Sequence, residues 1–388
     1  MHIVEIPSFL TPYGGEFCID QARALKALGH EVRVVSAVQL SVKRSLREFI
    51  SLPYLWRWEE ADGVEVYKSY VRGIPKCIRP NVNRWTARVR SMFDNYVRQY
   101  GKPDILHAHC AKWAGHAAML IGRQYGIPYV VTEHLPLLLL ENEFGKAPSS
   151  AWQIPLLKAC YEQADMVIPV SEELVDDIAC YYGKDYRWQW VSNTIDTAFF
   201  SYQERLPHEN RPYRFCCLAD YQYRKGYDVL FAAYRQLQER GCEVELHIAG
   251  QDTDNGECLK EIERLQLRGV KTYGRIGKRR VRELLWQSDA LVLASRDETQ
   301  GLVLLEALST GIPVISTEAI PESVRLDEAC WFVSVDDVDA LAEMMRRCSR
   351  QEMVYDGRKA SQLVRELASP EVVGKKLETI FSEIVSSR

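Results

Sequence analysis

The sequence predicts an α/β protein made of two doubly wound parallel-sheet domains. Three observations predict it. Short β-branched runs alternate with longer amphipathic stretches, the alternation lapses once near the middle, and 388 residues suit two domains that each bury a core. Regular alternation of strands and helices is typical of parallel sheets, because each helix returns the chain to the same end of the sheet.

The chain opens with a β-α-β pattern. A strand is expected from His2 to Ile6, a helix from Phe17 to Leu28 and a strand from Glu31 to Ser36, with Gly29 where a helix C-cap belongs. Further strands of this first series are predicted at Asp104 to His109, Tyr129 to Thr132, Met166 to Val170 and Trp188 to Val191.

A second series begins after a polar segment at 193–212. We predict one domain at 1–193 and another at 194–369. The amphipathic stretch 370–388 has no strand after it and could pack on either domain, with the first favoured. Because open α/β sheets bind ligands beyond the carboxyl ends of their strands, an interdomain cleft is the expected site. The strands of the second series are expected at Tyr213 to Leu218, Val244 to Ala249, Ala290 to Ala294 and Pro313 to Ser316.

The composition is that of an ordinary globular protein. Hydrophobic residues make up 47% and charged residues 26%, and the formal net charge of -4 indicates no particular partner. No basic segment followed by a signal-like apolar run opens the sequence, and no run of about 18 apolar residues occurs, so we expect a cytoplasmic location. The eleven scattered cysteines form no C-x-x-C pair and are expected to be buried thiols.

A pair of carboxylates around a predicted helix start is the main functional pattern. Glu298 follows an apolar strand-like run, and Glu306 lies on the next helix, which starts from Gly301. A helix N-terminus offers unpaired N–H groups and partial positive charge, which suit a diphosphate. Carboxylates accept hydrogen bonds from vicinal hydroxyls, so the pair could hold a donor sugar and a ribose. Taken alone, the pattern is equally consistent with ordinary structural roles. Glu298 could be a charge that caps the helix, and Glu306 could be a solvated residue on it.

The surrounding residues resemble glycosyltransferase family 4, a family of retaining enzymes with the GT-B fold. The similar segments are ETQGL from Glu298, EAL from Glu306 and GIPV from Gly311, and other family features follow in order over nearly the whole chain. The resemblance implies two Rossmann-like domains facing an interdomain cleft, and a nucleotide sugar as donor. It implies catalysis by Glu298 and donor binding by Gly301, Leu302, Val303 and Glu306.

A lysine-glycine pair before a predicted helix also resembles the family pattern. The family's lysine, matched by Lys225, binds the donor diphosphate and stabilises charge on the leaving group. The family commonly has an arginine six residues earlier, where this chain has Ala219. Either Arg224 or an arginine elsewhere supplies that second charge, or Lys225 acts with backbone donors alone.

Further candidates lie in the first domain. Gly14 and Gly15 resemble the family's glycine loop, which meets the donor phosphate and the acceptor, although a simple turn is the alternative. Glu16, beside them, is expected near the acceptor. His134 matches the family histidine that contacts the donor sugar near its reactive centre. His109, at the end of an earlier strand, is either an acceptor contact or a structural residue.

No metal or cofactor is expected. Asp252-Thr253-Asp254 has the D-x-D form of a metal motif found in another transferase fold, but it follows a predicted strand as a polar loop, and GT-B enzymes typically need no metal. The segment 191–196 resembles the family's Asn-Gly-Val-Asp signature at the link between domains, with Thr194 replacing the glycine.

The segment from residue 41 to residue 102 contains thirteen Lys or Arg residues but only six acidic ones. Three tryptophans, Trp56, Trp58 and Trp85, are interspersed with them. Such a surface suits anionic lipid headgroups, and many members of the resembled family use lipid-linked acceptors at the inner membrane face. Peripheral membrane association is therefore expected, with a solvated basic face as the alternative. Nucleic-acid binding is not expected, because no recognised motif accompanies the charge.

The expected reaction moves a sugar from a nucleoside diphosphate to a hydroxyl of a glycan or lipid-linked acceptor, with retained anomeric configuration. UDP is the favoured nucleotide, with GDP-mannose second, and the expected role is cell-surface glycan, polysaccharide or glycolipid biosynthesis. Two alternatives stay open: a nucleotide-sugar epimerase or hydrolase of the same fold, and a catalytically silent partner subunit, which Ala219 would favour. The acceptor loop expected at 135–150 does not identify the acceptor.

Overall fold

A computed structural model describes residues 1–10, 14–42, 45–142, 151–204 and 211–388. Its contacts divide the chain into two compact units. The first joins Met1–Thr194 to Pro370–Arg388, and the second is Ile195–Ser369. Each unit has its own sheet with helices, so the predicted fold class of two parallel-sheet α/β domains is confirmed.

The strands and helices of the first unit alternate for most of its length. Its strands are β1 (His2–Pro7), β2 (Glu31–Leu40), β3 (Arg57–Ala61), β4 (Val64–Arg72), β5 (Ile105–His109), β6 (Tyr129–Glu133) and β7 (Met166–Pro169). Its helices are α1 (Glu16–Ala27), α2 (Leu46–Ser51), α3 (Ile78–Tyr100), α4 (His116–Tyr125), α5 (Leu137–Leu140), α6 (Gln153–Glu162), α7 (Leu174–Asp177) and α8 (Ala179–Tyr182).

The strand order of this sheet, β3-β4-β2-β1-β5-β6-β7, is that of a doubly wound fold with one added edge strand. Neighbouring strands are parallel except β3 and β4, which are antiparallel. The order reverses between β1 and β5, and this reversal is where such sheets open a crevice for a ligand.

Two details of the sequence prediction are wrong here. The stretch from Trp188 to Val191 forms no strand; Trp188 makes a single bridge to Val167 on β7. The hairpin of β3 and β4 was not predicted, because polar and charged residues interrupt both strands and the region was interpreted by its charge. A strand at the edge of a sheet tolerates such residues, since one side faces water.

The second unit alternates strands and helices more regularly. Its strands are β8 (Tyr213–Leu218), β9 (Val244–Ala249), β10 (Val270–Thr272), β11 (Ala290–Leu293), β12 (Val314–Thr317) and β13 (Cys330–Val333). Its helices are α9 (Tyr227–Glu239), α10 (Gly256–Arg264), α11 (Lys278–Gln287), α12 (Leu302–Thr310), α13 (Val338–Ser349) and α14 (Gly357–Ala368). The sheet order β10-β9-β8-β11-β12-β13 is parallel throughout, and it reverses between β8 and β11.

The C-terminal helix, α15 (Pro370–Ser386), belongs to the first unit. Its buried residues Leu377, Ile380 and Phe381 join the apolar core that lies between α1 and one face of the sheet. The helices α1 and α15 approach closely at Gly374, where a Cβ would lie 3.2 Å from the carbonyl oxygen of Ala24. The end of the chain thus contributes to the core of the first unit.

The cysteines are mostly buried, as predicted. All eleven are free thiols, and eight are buried, whereas Cys77 and Cys242 are half-buried and Cys180 is exposed. Within the described parts of the chain, no helix combines the length and apolar character needed to cross a membrane.

We predict that Phe381→Ala destabilises the first unit by about 3–5 kcal/mol, because it leaves a cavity where a fully buried ring was. Urea unfolding followed by an optical probe measures this change. Lys375→Ala, on the exposed side of the same helix, is the matched control and should change stability little. Equal effects of the two substitutions would contradict the packing of α15 described above.

Candidate functional site

The reversal of strand order in the second unit brings together the loops that follow β8 and β11. The first of these loops carries Lys225 and the second carries Glu298. Gly226 has a left-handed backbone (φ 62°), and a Cβ on it would lie 1.8 Å from the carbonyl oxygen of Ala294, at the end of β11. Only glycine permits this close approach, which puts Lys225 beside Glu298.

Glu298 is the centre of a polar cluster in this crevice. Its Oε1 accepts hydrogen bonds from Nζ of Lys225 and from Oγ of Ser295, the latter at 2.8 Å. Nη1 of Arg224 lies 4.0 Å from Oε2. The Glu298 side chain is 9% exposed and that of Lys225 is 14% exposed. The cluster therefore pairs a nearly buried carboxylate with two cations.

These neighbours keep the Glu298 carboxylate ionised. Burial alone would raise its pKa, but the charges of Lys225 and Arg224, together with the hydrogen bonds from Lys225 and Ser295, outweigh burial and hold the pKa below its ordinary value. The cluster of Lys225, Arg224 and Glu298 therefore carries a net charge of one positive unit, which suits a phosphate group.

Arg296 holds the two loops together. Its guanidinium forms a bidentate ion pair with Asp228 at 2.7 and 2.9 Å, donates to the carbonyl of Tyr223 at 2.6 Å and bonds Asp336 at 2.7 Å. The backbone N–H of Arg296 also donates to the carbonyl of Arg224 at 2.8 Å. Arg296 thus fixes the position of the loop that contains Lys225 relative to the loop that contains Glu298.

The helix α12 begins directly after Gly301, as predicted, with no side-chain cap. Leu302, Val303 and Glu306 are half-buried and share one side of the helix, whereas Leu304 is part of the core. Gly301, the residue before the helix, is three positions after Glu298. The free N–H groups of the first helical turn are therefore near Glu298 in sequence.

A second polar cluster lies in the first unit, where β1 and β5 are neighbours. Glu5 is fully buried inside β1. Its Oε2 lies 2.8 Å from Nε2 of His109 and 2.8 Å from Nδ1 of His107, both on β5. Nε2 of His107 lies 2.6 Å from Oγ1 of Thr132 on β6. These residues form one buried polar cluster, in which the Oε1 oxygen of Glu5 has no hydrogen-bond partner among the described residues.

His134 extends this cluster to the edge of the sheet. Its Nε2 lies 3.2 Å from Nδ1 of His109, and its ring stacks on Phe17 of α1, with ring centroids 3.8 Å apart. Glu133 holds the backbone beside it: one oxygen accepts from the N–H groups of His134 and Leu135 at 2.8 and 2.9 Å. The other oxygen accepts from Ala111 N at 2.9 Å and from the Tyr161 hydroxyl at 2.5 Å.

The predicted glycine loop is described in part, since 11–13 lie outside the described residues. Gly15 has φ 80°, and a Cβ there would lie 2.0 Å from the carbonyl oxygen of Phe9, so the loop requires glycine at this position. Gly14 also has a positive φ, of 103°. Glu16 is the exposed first residue of α1.

The structure thus groups most candidates into two sets. Arg224, Lys225 and Glu298 meet in the second unit, and His109 and His134 meet in the first. Both ring nitrogens of His109 face protein groups, which favours the structural alternative for this residue over contact with an acceptor. Of the expected acceptor loop at 135–150, residues 143–150 lie outside the described part of the chain.

Sequence reasoning missed residues that support these clusters. Glu5 could have been found as the one charged residue within an apolar strand, because a buried charge requires partners. Ser295 could have been found as a polar residue directly beyond the carboxyl end of β11, whereas nothing in the sequence indicated that Arg296 pairs with Asp228. Phe17 gave no signal, since an aromatic residue in the first turn of a helix is usually part of a core.

The D-x-D triplet is a loop between β9 and α10, as predicted. Asp252 accepts a hydrogen bond from Nδ2 of Asn255 at 2.7 Å, and Asp254 lies against Gly274.

The basic segment 41–102 is less exposed than its sequence indicates. Trp85 and Lys68 are buried, Lys68 pairs with Glu59, and Arg88 lies over the ring of Tyr54. Lys43 and Arg44 lie outside the described residues. Seven cations are exposed: Arg47, Arg57, Lys76, Arg79, Arg84, Arg98 and Lys102. This segment instead exposes apolar side chains on α2, at the start of α3 and in the loops around them, namely Val42, Leu46, Ile50, Tyr54, Leu55, Ile74 and Ile78.

We predict that His109→Gln weakens the pH dependence of stability. Burial lowers the pKa of His109 from 6.5 to about 4. Between these values the unfolded chain binds more protons than the folded one, so stability rises with pH across this window and is lost as pH falls. The slope of the unfolding free energy against pH is proportional to the number of protons that the chain takes up on unfolding. Removing the imidazole should reduce that number by up to about one.

Urea unfolding at a series of pH values measures that slope. The matched control is His247→Gln in the second unit, because burial also lowers the pKa of His247 to about 4. This control should reduce the slope for the second unit and leave the first unit unchanged. A His109→Gln protein with the wild-type slope would contradict the neutral, buried state of His109.

Solved structures with the same fold include two sugar-handling proteins. Sucrose-phosphate synthase from Thermosynechococcus elongatus aligns over 100% of both chains with a TM-score of 0.79 and 17% identity. The Anabaena protein HepE, in complex with UDP-glucose, aligns over 100% of both chains with a TM-score of 0.69 and 17% identity. At these identities the similarity establishes the fold alone, and it confirms the expected GT-B class.

Sequence comparison identifies the family. The Bacillus subtilis (strain 168) protein TuaC is 26% identical to this chain over 367 residues, which are 89% of this chain and 88% of TuaC. Its name describes it as a teichuronic acid biosynthesis glycosyltransferase. The N-acetyl-alpha-D-glucosaminyl L-malate synthase of Bacillus anthracis is 25% identical over 74% of this chain and 77% of that one. The family model described as Glycosyltransferase Family 4 matches residues 14–199, and the model described as Glycosyl transferases group 1 matches residues 212–351. The chain is therefore a glycosyltransferase and belongs to glycosyltransferase family 4.

Proposed function

We propose that this glycosyltransferase moves a sugar from a nucleoside diphosphate, with UDP favoured, to an acceptor hydroxyl and retains the anomeric configuration. The observation that carries the proposal is the cluster of Lys225, Arg224 and Glu298 at the reversal of the second sheet, with Glu298 four positions before the first residue of α12. Cations, a helix N-terminus and a carboxylate together match the charges and hydroxyls of a nucleotide sugar.

In this proposal the diphosphate lies between Lys225 and the first turn of α12. An ammonium group has three donors, and Glu298 accepts from one of them, so the others remain able to reach phosphate oxygens. As the bond to the sugar breaks, negative charge grows on the diphosphate, and these donors stabilise it without having to reorganise. Arg224, 4.0 Å from the Glu298 carboxylate, supplies the second cation, in place of the arginine expected at Ala219.

Glu298 orients hydroxyls of the donor sugar in this mechanism, and Glu306, one turn into α12, binds the ribose. The Oε2 oxygen of Glu298 makes no hydrogen bond with the described residues beyond its 4.0 Å approach to Arg224, so it can accept from a sugar hydroxyl. The incoming acceptor hydroxyl attacks on the face that the diphosphate leaves, and its proton passes to a phosphate oxygen. We expect His134 to contact the donor sugar near its reactive centre, as the family resemblance implies.

The biological role we propose is the assembly of a cell-surface polysaccharide or other glycan. Two relatives support this role by name: TuaC and, at 25% identity over 86% of this chain, the Salmonella typhimurium protein WcaL, named for colanic acid biosynthesis.

A panel of nucleotides and nucleotide sugars in a thermal-shift assay tests donor binding. A ligand that binds only the folded chain raises its melting temperature, by an amount that grows with concentration over Kd. We expect UDP and a UDP-sugar to give the largest shifts, with GDP-mannose next. A panel without any shift would contradict the proposed donor class.

Product analysis with and without acceptor separates transfer from the alternatives. Transfer requires an acceptor, whereas a hydrolase or epimerase converts the donor without one, and a silent subunit converts nothing. NMR of the new linkage should show the anomeric configuration of the donor. An inverted product would overturn the retaining mechanism.

We predict that Lys225→Met and Glu298→Gln each lower kcat/KM by about 100-fold or more, because each removes a preorganised group from the reacting centre. Steady-state kinetics at several donor concentrations measures the loss. Lys271→Met is the matched control, since this exposed lysine pairs with Glu245 at 3.7 Å in the same unit. A loss in the control equal to that of Lys225→Met, or wild-type activity in either test variant, would refute the mechanism.

We also propose that the first unit binds anionic membranes through its exposed apolar residues and cations. Leu46, Ile50 and Leu55 are 58%, 69% and 73% exposed. Arg72, at the end of β4, donates to the carbonyls of Phe49 and Leu52, which holds the C-terminal end of α2 against that strand. Apolar side chains flanked by exposed arginine and lysine suit the interface of an anionic bilayer.

Vesicle sedimentation tests this surface. We predict that the double substitution Ile50→Ser and Leu55→Ser weakens binding to phosphatidylglycerol vesicles at least about fivefold, since each removes roughly 1 kcal/mol or more of apolar burial. Val354→Ser is the matched control, because Val354 is 97% exposed in the second unit. Unchanged binding by the double variant, or no binding of the wild type, would reject the proposal.

A further inference from the structure

The contacts from Glu5 to His109 to His134 have a defined direction. A carboxylate can only accept hydrogen bonds, so Nε2 of His109, 2.8 Å from Glu5, carries a proton. A neutral imidazole carries one proton, and Nδ1 of His109 is therefore an acceptor. Nε2 of His134 lies 3.2 Å from that atom and must donate to it. The second ring nitrogen of His134, Nδ1, is then left as an acceptor.

This last nitrogen has no partner among the described residues. Nδ1 of His134 is a buried atom without a hydrogen bond there, although the ring as a whole is half-buried. An unpaired buried acceptor is unfavourable, and native structures rarely keep one without a reason. The stacked ring of Phe17 and the backbone held by Glu133 both keep His134 in its orientation.

We propose that Glu5, acting through His109, fixes the tautomer of His134 and thereby presents its Nδ1 as an acceptor to a hydroxyl group of the bound sugar. The proposal rests on the proposed function and adds a specific atom to it. Glu5 and His109 are positioning residues in this scheme, because they act on the ligand only through His134.

The charge states that the scheme needs are those the surroundings favour. Burial raises the pKa of Glu5, but His107 and His109 outweigh it and lower the pKa to about 2. Burial lowers the pKa of His109 to about 4, so it is neutral near pH 7. His107, the other titratable group facing Glu5, has its far nitrogen directed to Thr132 and away from His134.

The alternative interpretation of the same side chains is a metal-binding site. Ligand atoms of Glu5, His107 and His109 lie within 4.8 Å of one another. The ligands of a tetrahedral zinc ion, however, stand about 3.3 Å apart, given metal–ligand distances near 2.0 Å. Both histidine nitrogens lie 2.8 Å from the same Glu5 oxygen, closer than the ligands of a tetrahedral ion, and the contact from His109 is a hydrogen bond.

Long-range ¹H–¹⁵N NMR of the full chain, labelled at histidine, reads the tautomer directly. His134→Gln assigns the signals of that ring. In the wild type without ligand, near pH 7, we expect the proton of His134 on Nε2. In Glu5→Gln, an amide with both a donor and an acceptor replaces the carboxylate, so the direction is no longer imposed and both tautomers should become populated.

Thr132→Val is the matched control. It removes the partner of His107, beside the same carboxylate, but leaves the contacts from Glu5 to His134 in place, so the His134 signals should not move. A wild-type His134 with its proton on Nδ1 would overturn the proposal even if no variant folds. The same holds for a folded Glu5→Gln protein with unchanged His134 signals, or for equal changes in the control.

Kinetics tests the hydroxyl contact separately. With the donor identified by the nucleotide-sugar panel, Glu5→Gln should raise KM for the donor in proportion to the loss of the His134 tautomer protonated on Nε2, about twofold when both tautomers are equally populated, with a smaller effect on kcat. An unchanged KM would overturn the contact. Because the NMR measurement needs no substrate, a wild-type chain without transfer activity would refute the proposed function while the His134 tautomer is still decided.

Discussion

The ion pair between Lys225 and Glu298 depends on the reversal of strand order in the second sheet. β8 and β11 are neighbours in that sheet, although β9 and β10 separate them in sequence. Loops that leave two such strands diverge to opposite faces and open a crevice between them. Gly226 permits the first loop to touch the end of β11, and Arg296 ties the two loops together. The cluster is thus a consequence of topology, completed by one glycine and one arginine.

Each unit places a buried glutamate near the reversal of its sheet, but the two carboxylates are neutralised differently. Glu298 has two cations beside it, whereas Glu5 has two histidines. A buried carboxylate is costly unless it is paired and hydrogen bonded, and each arrangement supplies hydrogen bonds to one oxygen of its carboxylate. Their consequences differ: the second unit retains excess positive charge for a diphosphate, and the first offers oriented neutral groups that suit sugar hydroxyls.

Much of this organisation could be predicted from sequence because it rests on local patterns. The β-α alternation gave the two sheets, and the start of α12 at Gly301 followed from the segment around Glu298. Residues whose role depends on neighbours distant in sequence could not be assigned in this way. Arg296 is one such residue, since its partner Asp228 is 68 positions away.

Charge counting failed for the same reason. Lys68 and Arg88 contribute to a basic count, yet packing against Glu59 and Tyr54 removes them from the surface. The strand expected from Trp188 was apolar enough to form, but its pairing with β7 is limited to one bridge. Periodicity indicates which residues can be buried, whereas the actual partners are decided by the assembled sheet.

Amide hydrogen exchange with and without the best nucleotide sugar tests the central claim most directly, because it locates the bound diphosphate. We expect slower exchange at the N–H groups of Leu302 and Val303, in the first turn of α12, and in the loop around Lys225. Protection confined to other parts of the second unit, with these amides unchanged, would contradict it.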